Sequence, residues 1–135
     1  MKIIFLVFLI VFSFGIKCFN QHLIGIDKSM IPALVKKEMK GFNQDKSTIN
    51  EKFNYLKFVN SAGTKTIIVF FDDRNISRST RLICEFSELN TLLTQLNTTS
   101  KKTAENSWEY TVDNEKFEVT LEKKEWYFVI STKKK

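Results

Sequence analysis

Histidine, proline, glycine and cysteine are scarce in this chain of 135 residues, which has one histidine, one proline, four glycines and two cysteines. Two cysteines cannot build a framework of several disulfides. With His22 as the single histidine, the serines have almost no candidate for a general base, and no nucleophile-elbow pattern flanks them. The low glycine and proline content, beside 13 phenylalanines, excludes a disordered or low-complexity chain and indicates a compact one rich in β-forming residues.

Patterns that would carry catalysis or bind a metal are also missing from the sequence. Asp72 and Asp73 are adjacent acids in a predicted hairpin turn, where such residues usually serve turn chemistry, and no calcium-loop spacing surrounds them. Cys84 alternates with Leu82 and Phe86 in a predicted strand, which favours a buried structural thiol. We therefore predict no cofactor, no metal and no catalytic residue. A small thiol or hydrolytic enzyme using Cys84 or the acidic turn is the disfavoured alternative.

The first 18 residues have the composition of a signal peptide. Lys2 supplies a positive start, and the apolar and small residues at 3–16 form an unbroken run of fourteen. A membrane-spanning helix needs roughly 20 apolar residues, so the run is short for a permanent anchor. Cleavage after Gly15 fits the small-x-small preference, and cleavage after Cys18 is a second option. We predict export to the periplasm, cell envelope or extracellular space, with an uncleaved short anchor as the alternative.

Cys18 has three possible fates, which the sequence leaves open. It can be lost with the signal, acylated as in a lipoprotein, or joined to Cys84 by a disulfide in an oxidising compartment. Lys17 directly before Cys18 is a poor fit to lipoprotein processing, which favours loss. The chain is predicted to meet a membrane only through this N-terminal segment, if the segment is retained.

The net charge of +6 overstates the charge of the exported domain. Removal of Lys2 and Lys17 leaves +4, and the predicted basic tail at 133–135 supplies three of those charges, so the body is near +1. A basic chain can indicate a nucleic-acid partner. Here the excess lies in the signal and the tail, and we predict no binding to nucleic acid.

Residues 19–28 are predicted to be an extended lead-in to one domain at 29–132. A first amphipathic helix is expected to begin at Ser29 as its N-cap, with Pro32 in its first turn. A second amphipathic helix is expected to begin after Ser87, which would be its N-cap. Two apolar stripes at helical spacing support them: Ile31, Leu34, Val35, Met39 and Phe42 in the first, and Leu89, Leu92, Leu93 and Leu96 in the second.

Six strands are predicted around these helices, at 52–59, 66–71, 79–86, 108–112, 116–121 and 126–131. Residues 43–50 and 97–106 are interpreted as a polar connector and a polar loop. The segment at 66–71 (TIIVFF) is apolar on both faces, which is typical of an inner strand. The predicted order is α-βββ-α-βββ, an α+β fold in which the helices lie on one or two antiparallel sheets.

Two groups of residues are candidate partner contacts. Arginines cluster around the second hairpin turn and could bind a carboxylate or phosphate, although a solvated sheet edge explains them as well. Aromatic residues of the last strands could anchor a protein or a sugar, although one row of them must face the core. The six candidates are Arg74, Arg78, Arg81, Trp108, Trp126 and Tyr127.

The leading functional hypothesis from the sequence is an exported, non-catalytic domain. It would bind a protein, a peptide or a small apolar ligand through the sheet face or the loops at its end. A membrane-tethered, lipoprotein-like accessory protein of the cell envelope, held through Cys18, is the alternative.

Overall fold

A computed structural model describes residues 23–47 and 53–135 of the chain. The predicted signal peptide, Cys18 and His22 lie outside the described residues. The described residues form one antiparallel sheet of eight strands and two α-helices. The helices are α1 (Ile31–Glu38) and α2 (Leu89–Thr99). The strands are β1 (Phe42–Gln44), β2 (Tyr55–Asn60), β3 (Lys65–Phe71), β4 (Ser77–Glu85), β5 (Lys101–Ala104), β6 (Ser107–Val112), β7 (Glu115–Lys123) and β8 (Tyr127–Lys134).

The sheet has the order β1-β2-β3-β4-β8-β7-β6-β5. Each half of the chain contributes a helix followed by four strands, and the last strand of each half lies at the centre of the sheet. These central strands, β4 and β8, pair from Ser79 with Lys133 to Glu85 with Tyr127. The sequence left open whether there are one or two sheets, and the structure has one.

Two strands occur where the sequence predicted none. β1 lies in the predicted polar connector, and β5 lies in the predicted loop at 97–106. Both are edge strands, and neither has a buried residue, so neither shows the apolar alternation by which the other six strands were found. Lys101 and Lys102 on β5 are charges of the kind that discourage pairing at a sheet edge.

The helices begin differently from the prediction. Asp27, rather than Ser29, caps the first helical turn, because its Oδ1 accepts hydrogen bonds from the backbone N–H of Ser29 at 3.0 Å and from the Ser29 hydroxyl at 2.7 Å. Ser87 lies within a short 3-10 turn (Phe86–Glu88) that precedes α2, and no side chain caps α2 itself. The prediction of Ser29 and Ser87 as N-caps was therefore wrong: the cap of the first turn lies two residues before Ser29, and Glu88 at the start of α2 makes no capping hydrogen bond through its side chain.

The core lies between the helices and one face of the sheet. Ile67, Leu82, Ile130 and Leu121 are register partners on β3, β4, β8 and β7, and all four are buried. The helices complete the core with buried Ile31 and Val35 from α1 and Leu92 and Leu96 from α2. The other members of the two predicted stripes pack against this core, and Phe42 does so from β1, because α1 ends at Glu38.

The described part of the lead-in is fastened to the start of β4. Gly25 N–H donates to the carbonyl of Ser77 at 2.8 Å, and Ser77 N–H donates to the carbonyl of Ile26 at 2.9 Å. The Ser77 hydroxyl donates to the carbonyl of Leu23 and accepts from Ile26 N–H. Leu23 is fully buried, so this segment belongs to the folded domain.

The three C-terminal lysines belong to the sheet. Lys133 and Lys134 are the last residues of β8, and Lys135 N–H donates to the carbonyl of Lys116 at 2.8 Å. Each ammonium group also meets a glutamate carboxylate. The pairs are Lys133 with Glu118 at 3.6 Å, Lys134 with Glu115 at 2.9 Å and Lys135 with Glu109 at 2.8 Å.

Candidate ligand-binding site on the second face of the sheet

The sheet face opposite the core bears an apolar groove over β2, β3 and β4. Its lining side chains alternate with the buried ones along each strand, so they point away from the helices. The groove is open to solvent and has a volume of about 520 Å³. Its lining residues are Phe53, Tyr55, Lys57, Thr66, Ile68, Phe70, Arg81 and Ile83.

Three cross-strand rows build the floor of the groove. Ile68 on β3 lies between its register partners Lys57 on β2 and Arg81 on β4. On one side of this row the rings of Tyr55 and Phe70 meet with centroids 6.3 Å apart. On the other side Thr66 pairs with Ile83. This is why the segment at 66–71 is apolar on both faces: one row packs in the core and the other lines the groove.

In the part of the chain that the structure describes, the lining of the groove contains two cations and no acidic residue. Lys57 forms an ion pair with Asp45, with 3.3 Å between Nζ and Oδ2. The Arg81 guanidinium lies over the Phe70 ring, 5.1 Å from its centroid. Within residues 23–47 and 53–135, no carboxylate forms an ion pair with Arg81 at 4.0 Å or less.

Arg81 nevertheless acts on its surroundings through its charge. Glu122 on β7 forms a hydrogen bond with Lys124, and this bond holds the pKa of the Glu122 carboxyl below its usual range. The positive charge of Arg81 adds a smaller effect in the same direction. Arg81 therefore provides a positive field at the groove that no bonded carboxylate neutralises.

The other half of the same face is polar and internally paired. Glu109 lies 2.8 Å from the Lys135 ammonium and 3.6 Å from that of Lys116. The hydrogen bond from Lys135 holds the pKa of Glu109 below its usual value. Glu118 is paired with Lys133. The face is thus divided into a charged half over β6 to β8 and an apolar half over β2 to β4.

The structure separates the three candidate arginines. Arg74 lies in the β3–β4 turn, exposed, with its guanidinium 3.8 Å from Asp72. Arg78 is exposed on β4, at a β-bulge where Phe70 pairs with Ser79 and Phe71 with Ser77. Only Arg81 lines the groove, so the predicted cluster at the turn contains two arginines and not three.

The three aromatic candidates also lie in different environments. Trp108 is 1% exposed and belongs to the core, so its side chain is not a surface available to a partner. Trp126, in the β7–β8 turn, is 79% exposed, and Tyr127 at the start of β8 is 41% exposed. Neither of these two lines the groove.

The acidic turn and the thiol have structural roles. Asp72 Oδ1 accepts hydrogen bonds from the backbone N–H groups of Ile76 at 3.0 Å and Arg74 at 2.9 Å, and these bonds, led by that from Ile76, lower its pKa. Cys84 is a free, buried thiol, and burial raises its pKa to about 11. Among the described residues, no three His, Cys, Asp or Glu side chains are placed to hold a metal ion.

No protein family, curated protein or solved structure matches this chain. In the portion of the chain that the structure covers, no helix is long and apolar enough to cross a bilayer.

Proposed function

We propose that the chain is an exported, non-catalytic domain that binds a small apolar ligand in the groove on the second face of its sheet. The groove is the observation that carries this proposal. Its volume of about 520 Å³ lies within the range of roughly 300–1,000 Å³ that small-molecule sites occupy. Like such sites, it combines an apolar lining with a few polar groups.

A small ligand suits the groove better than a protein partner does. A stable protein interface buries about 800 Å² on each partner, with an apolar centre. Here the apolar area is confined to three strands, and paired charges of Glu109 and Glu118 occupy the rest of the face. An exposed site at Trp126 and Tyr127 would be the contact for a protein partner.

A thiol enzyme remains disfavoured. The thiolate is the reactive form of cysteine, and burial disfavours it at Cys84.

Export is proposed from the composition of residues 1–18, and tethering depends on Cys18. Intact mass measurement of the protein from its native envelope or medium tests both. A mature chain that begins at residue 16 or 19 supports a soluble exported domain. An acyl group on an N-terminal Cys18 supports the tethered alternative, and a full-length unprocessed chain contradicts cleavage.

The binding proposal is tested with an uncharged apolar dye such as Nile red, whose fluorescence rises in an apolar site. We expect saturable binding to the wild-type protein and its loss in Ile68→Asp, which places a charge at the middle of the groove. Thr120→Asp is the matched control, because Thr120 lies on the polar half of the same face. Ile83→Thr is a milder variant that is expected to weaken binding while the sheet stays folded.

Absence of dye binding to the folded wild-type protein would refute the proposal. Equal binding by wild-type protein and folded Ile68→Asp would do the same, since it would move the site away from the groove.

A further inference from the structure

We infer that the groove selects a single-chain amphiphile with one carboxylate, whose apolar chain lies on Ile68 and Phe70 and whose carboxylate meets Arg81. This inference rests on the proposed function and goes beyond it by naming the chemical class of the ligand.

The shape of the groove suits an extended chain. Its floor runs along β3 from Thr66 to Phe70, and these four residue steps span about 14 Å at a rise of about 3.4 Å per residue. Its width is that of three neighbouring strands, about 10 Å between the outer two. Ile68 and Ile83 supply aliphatic surface, and the paired rings of Tyr55 and Phe70 close one end.

Charge selects the headgroup. Among the described residues no acidic side chain lines the groove, so a cationic ligand would find no carboxylate partner in that lining. An uncharged amphiphile would gain only apolar contact. A carboxylate meets a guanidinium, whose planar array of N–H donors matches the two carboxylate oxygens.

Arg81 is better placed than Lys57 to receive this carboxylate. Lys57 already pairs with Asp45, and a ligand would have to compete with that ion pair. Arg81 has no carboxylate within 4.0 Å among the described residues, and its stacking on Phe70 holds its guanidinium beside the apolar floor. A guanidinium has several N–H donors, so a cation–π contact with one ring leaves donors for a carboxylate.

The lysines beside β7 and β8 on the same face are already paired with glutamates, so they are less available to an anionic membrane. Glu109 pairs with Lys116 and Lys135, Glu118 with Lys133, and Glu122 with Lys124. An anionic lipid headgroup would have to compete with these ion pairs, whereas Arg81 has no carboxylate within 4.0 Å among the described residues. A single molecule inserted in the groove therefore fits the charge distribution better than a bilayer does.

Titration calorimetry with decanoate, decanol and decylamine, each below its micelle concentration, tests the inference. These probes share one chain and differ in headgroup charge. We expect decanoate to bind about tenfold more tightly than decanol, the effect of one charge-assisted contact, and decylamine to bind more weakly than either. Arg81→Gln should remove the preference of the protein for decanoate over decanol.

Arg78→Gln is the matched control, because it removes the same charge from the same strand outside the groove, and it should keep the tenfold preference. Arg81→Lys retains the charge without the planar array of donors and should show an intermediate preference. It also provides a second test should Arg81→Gln not fold.

The outcomes separate this inference from the function on which it rests. Equal binding of decanoate and decanol to the wild-type protein would overturn the inference and leave the groove as an apolar site. A preference for decanoate that survives in folded Arg81→Gln would also overturn it. Absence of binding by all three probes would refute the groove itself. Flotation with phosphatidylglycerol vesicles, without binding of monomeric decanoate, would overturn it in favour of a membrane surface.

Discussion

The indole N–H of Trp108 donates a hydrogen bond to the side-chain oxygen of Asn97, with 2.9 Å between the two heavy atoms. Trp108 lies on β6 and is 1% exposed, whereas Asn97 lies in the last turn of α2 at the surface. A buried indole N–H needs an acceptor, because burial without one forfeits the hydrogen bond it makes with water. This contact therefore fixes the end of α2 against the second half of the sheet.

Asn97→Ala is expected to lower the free energy of unfolding by about 1–2 kcal/mol, because it leaves the indole N–H without its acceptor. Urea unfolding followed by tryptophan fluorescence measures this change. Asn90→Ala, an exposed position in the same helix, corrects for the higher helix propensity of alanine. Equal stability of the two variants would show that the Trp108 contact contributes nothing.

Ser77→Ala is expected to destabilise the protein by about 1–3 kcal/mol. The Ser77 hydroxyl is buried and bonds both the carbonyl of Leu23 and the N–H of Ile26, and both would lose a partner. Hydrogen exchange should also become faster at Ile26. Ser79→Ala provides the control. The β-bulge in β4 places Ser79 on the other face of the sheet from Ser77, although the two are only two residues apart. A Ser77→Ala protein that unfolds at the wild-type urea midpoint would contradict this account.

Thr80→Val is expected to stabilise the protein by about 1 kcal/mol. The Thr80 hydroxyl is buried on the core face of β4 and has no hydrogen-bond partner among the described residues. Valine has nearly the same shape and removes the cost of burying that hydroxyl. Thermal unfolding measures the gain. Thr120→Val, at a half-buried position on the opposite face, controls for the higher β-propensity of valine. A loss of stability in Thr80→Val would mean that the hydroxyl is bonded.

Cys84 is expected to make stability depend on pH in the alkaline range. Burial raises the thiol pKa from 9.0 to about 11, so the folded state holds its proton more tightly than the unfolded state does. The contribution of the neutral thiol is complete below about pH 9 and is lost as the pH rises through about 11. Urea midpoints across this window should fall more steeply for the wild-type protein than for Cys84→Ala, and parallel curves would contradict the assignment.

The sequence predicted the elements whose buried side chains recur at a regular spacing. This spacing is every second residue in a strand and every third or fourth residue in a helix. The leucines of α2 and the alternating residues of the six inner strands carry that pattern, and each was located. β1 and β5 were missed because a short strand that pairs on one side and buries no residue has no pattern to detect. Conversely, α2 continues to Thr99, through residues read as a loop, because polar side chains are compatible with the exposed side of a helix.

The groove was not predicted, although its central segment was noticed. The residues at 66–71 indicated a strand with two apolar faces. From the sequence alone, such a strand is interpreted as an inner strand that other parts of the protein shield from water on both faces. Whether a second layer covers an apolar face depends on where distant helices pack, and that is a tertiary property. Arg81 was a candidate because Arg74 and Arg78 lie near it in the sequence. Its position opposite Ile68 depends on the strand register, which the sequence did not predict.

The arrangement of the sheet has a consequence for how the chain assembles. The pairing of β4 with β8 joins the two halves of the chain. Its register partners are far apart in the sequence, by 54 residues for Ser79 and Lys133 and by 42 for Glu85 and Tyr127. Every other strand pair among the described residues joins strands that are neighbours in the sequence, and such local contacts form faster. The last strand of the first half ends at Glu85. The backbone N–H and C=O groups on one edge of β4 then stay unpaired until β8 is synthesised. A chain ended at Glu85 is therefore expected to self-associate through that edge, which sedimentation would detect as dimers or larger species.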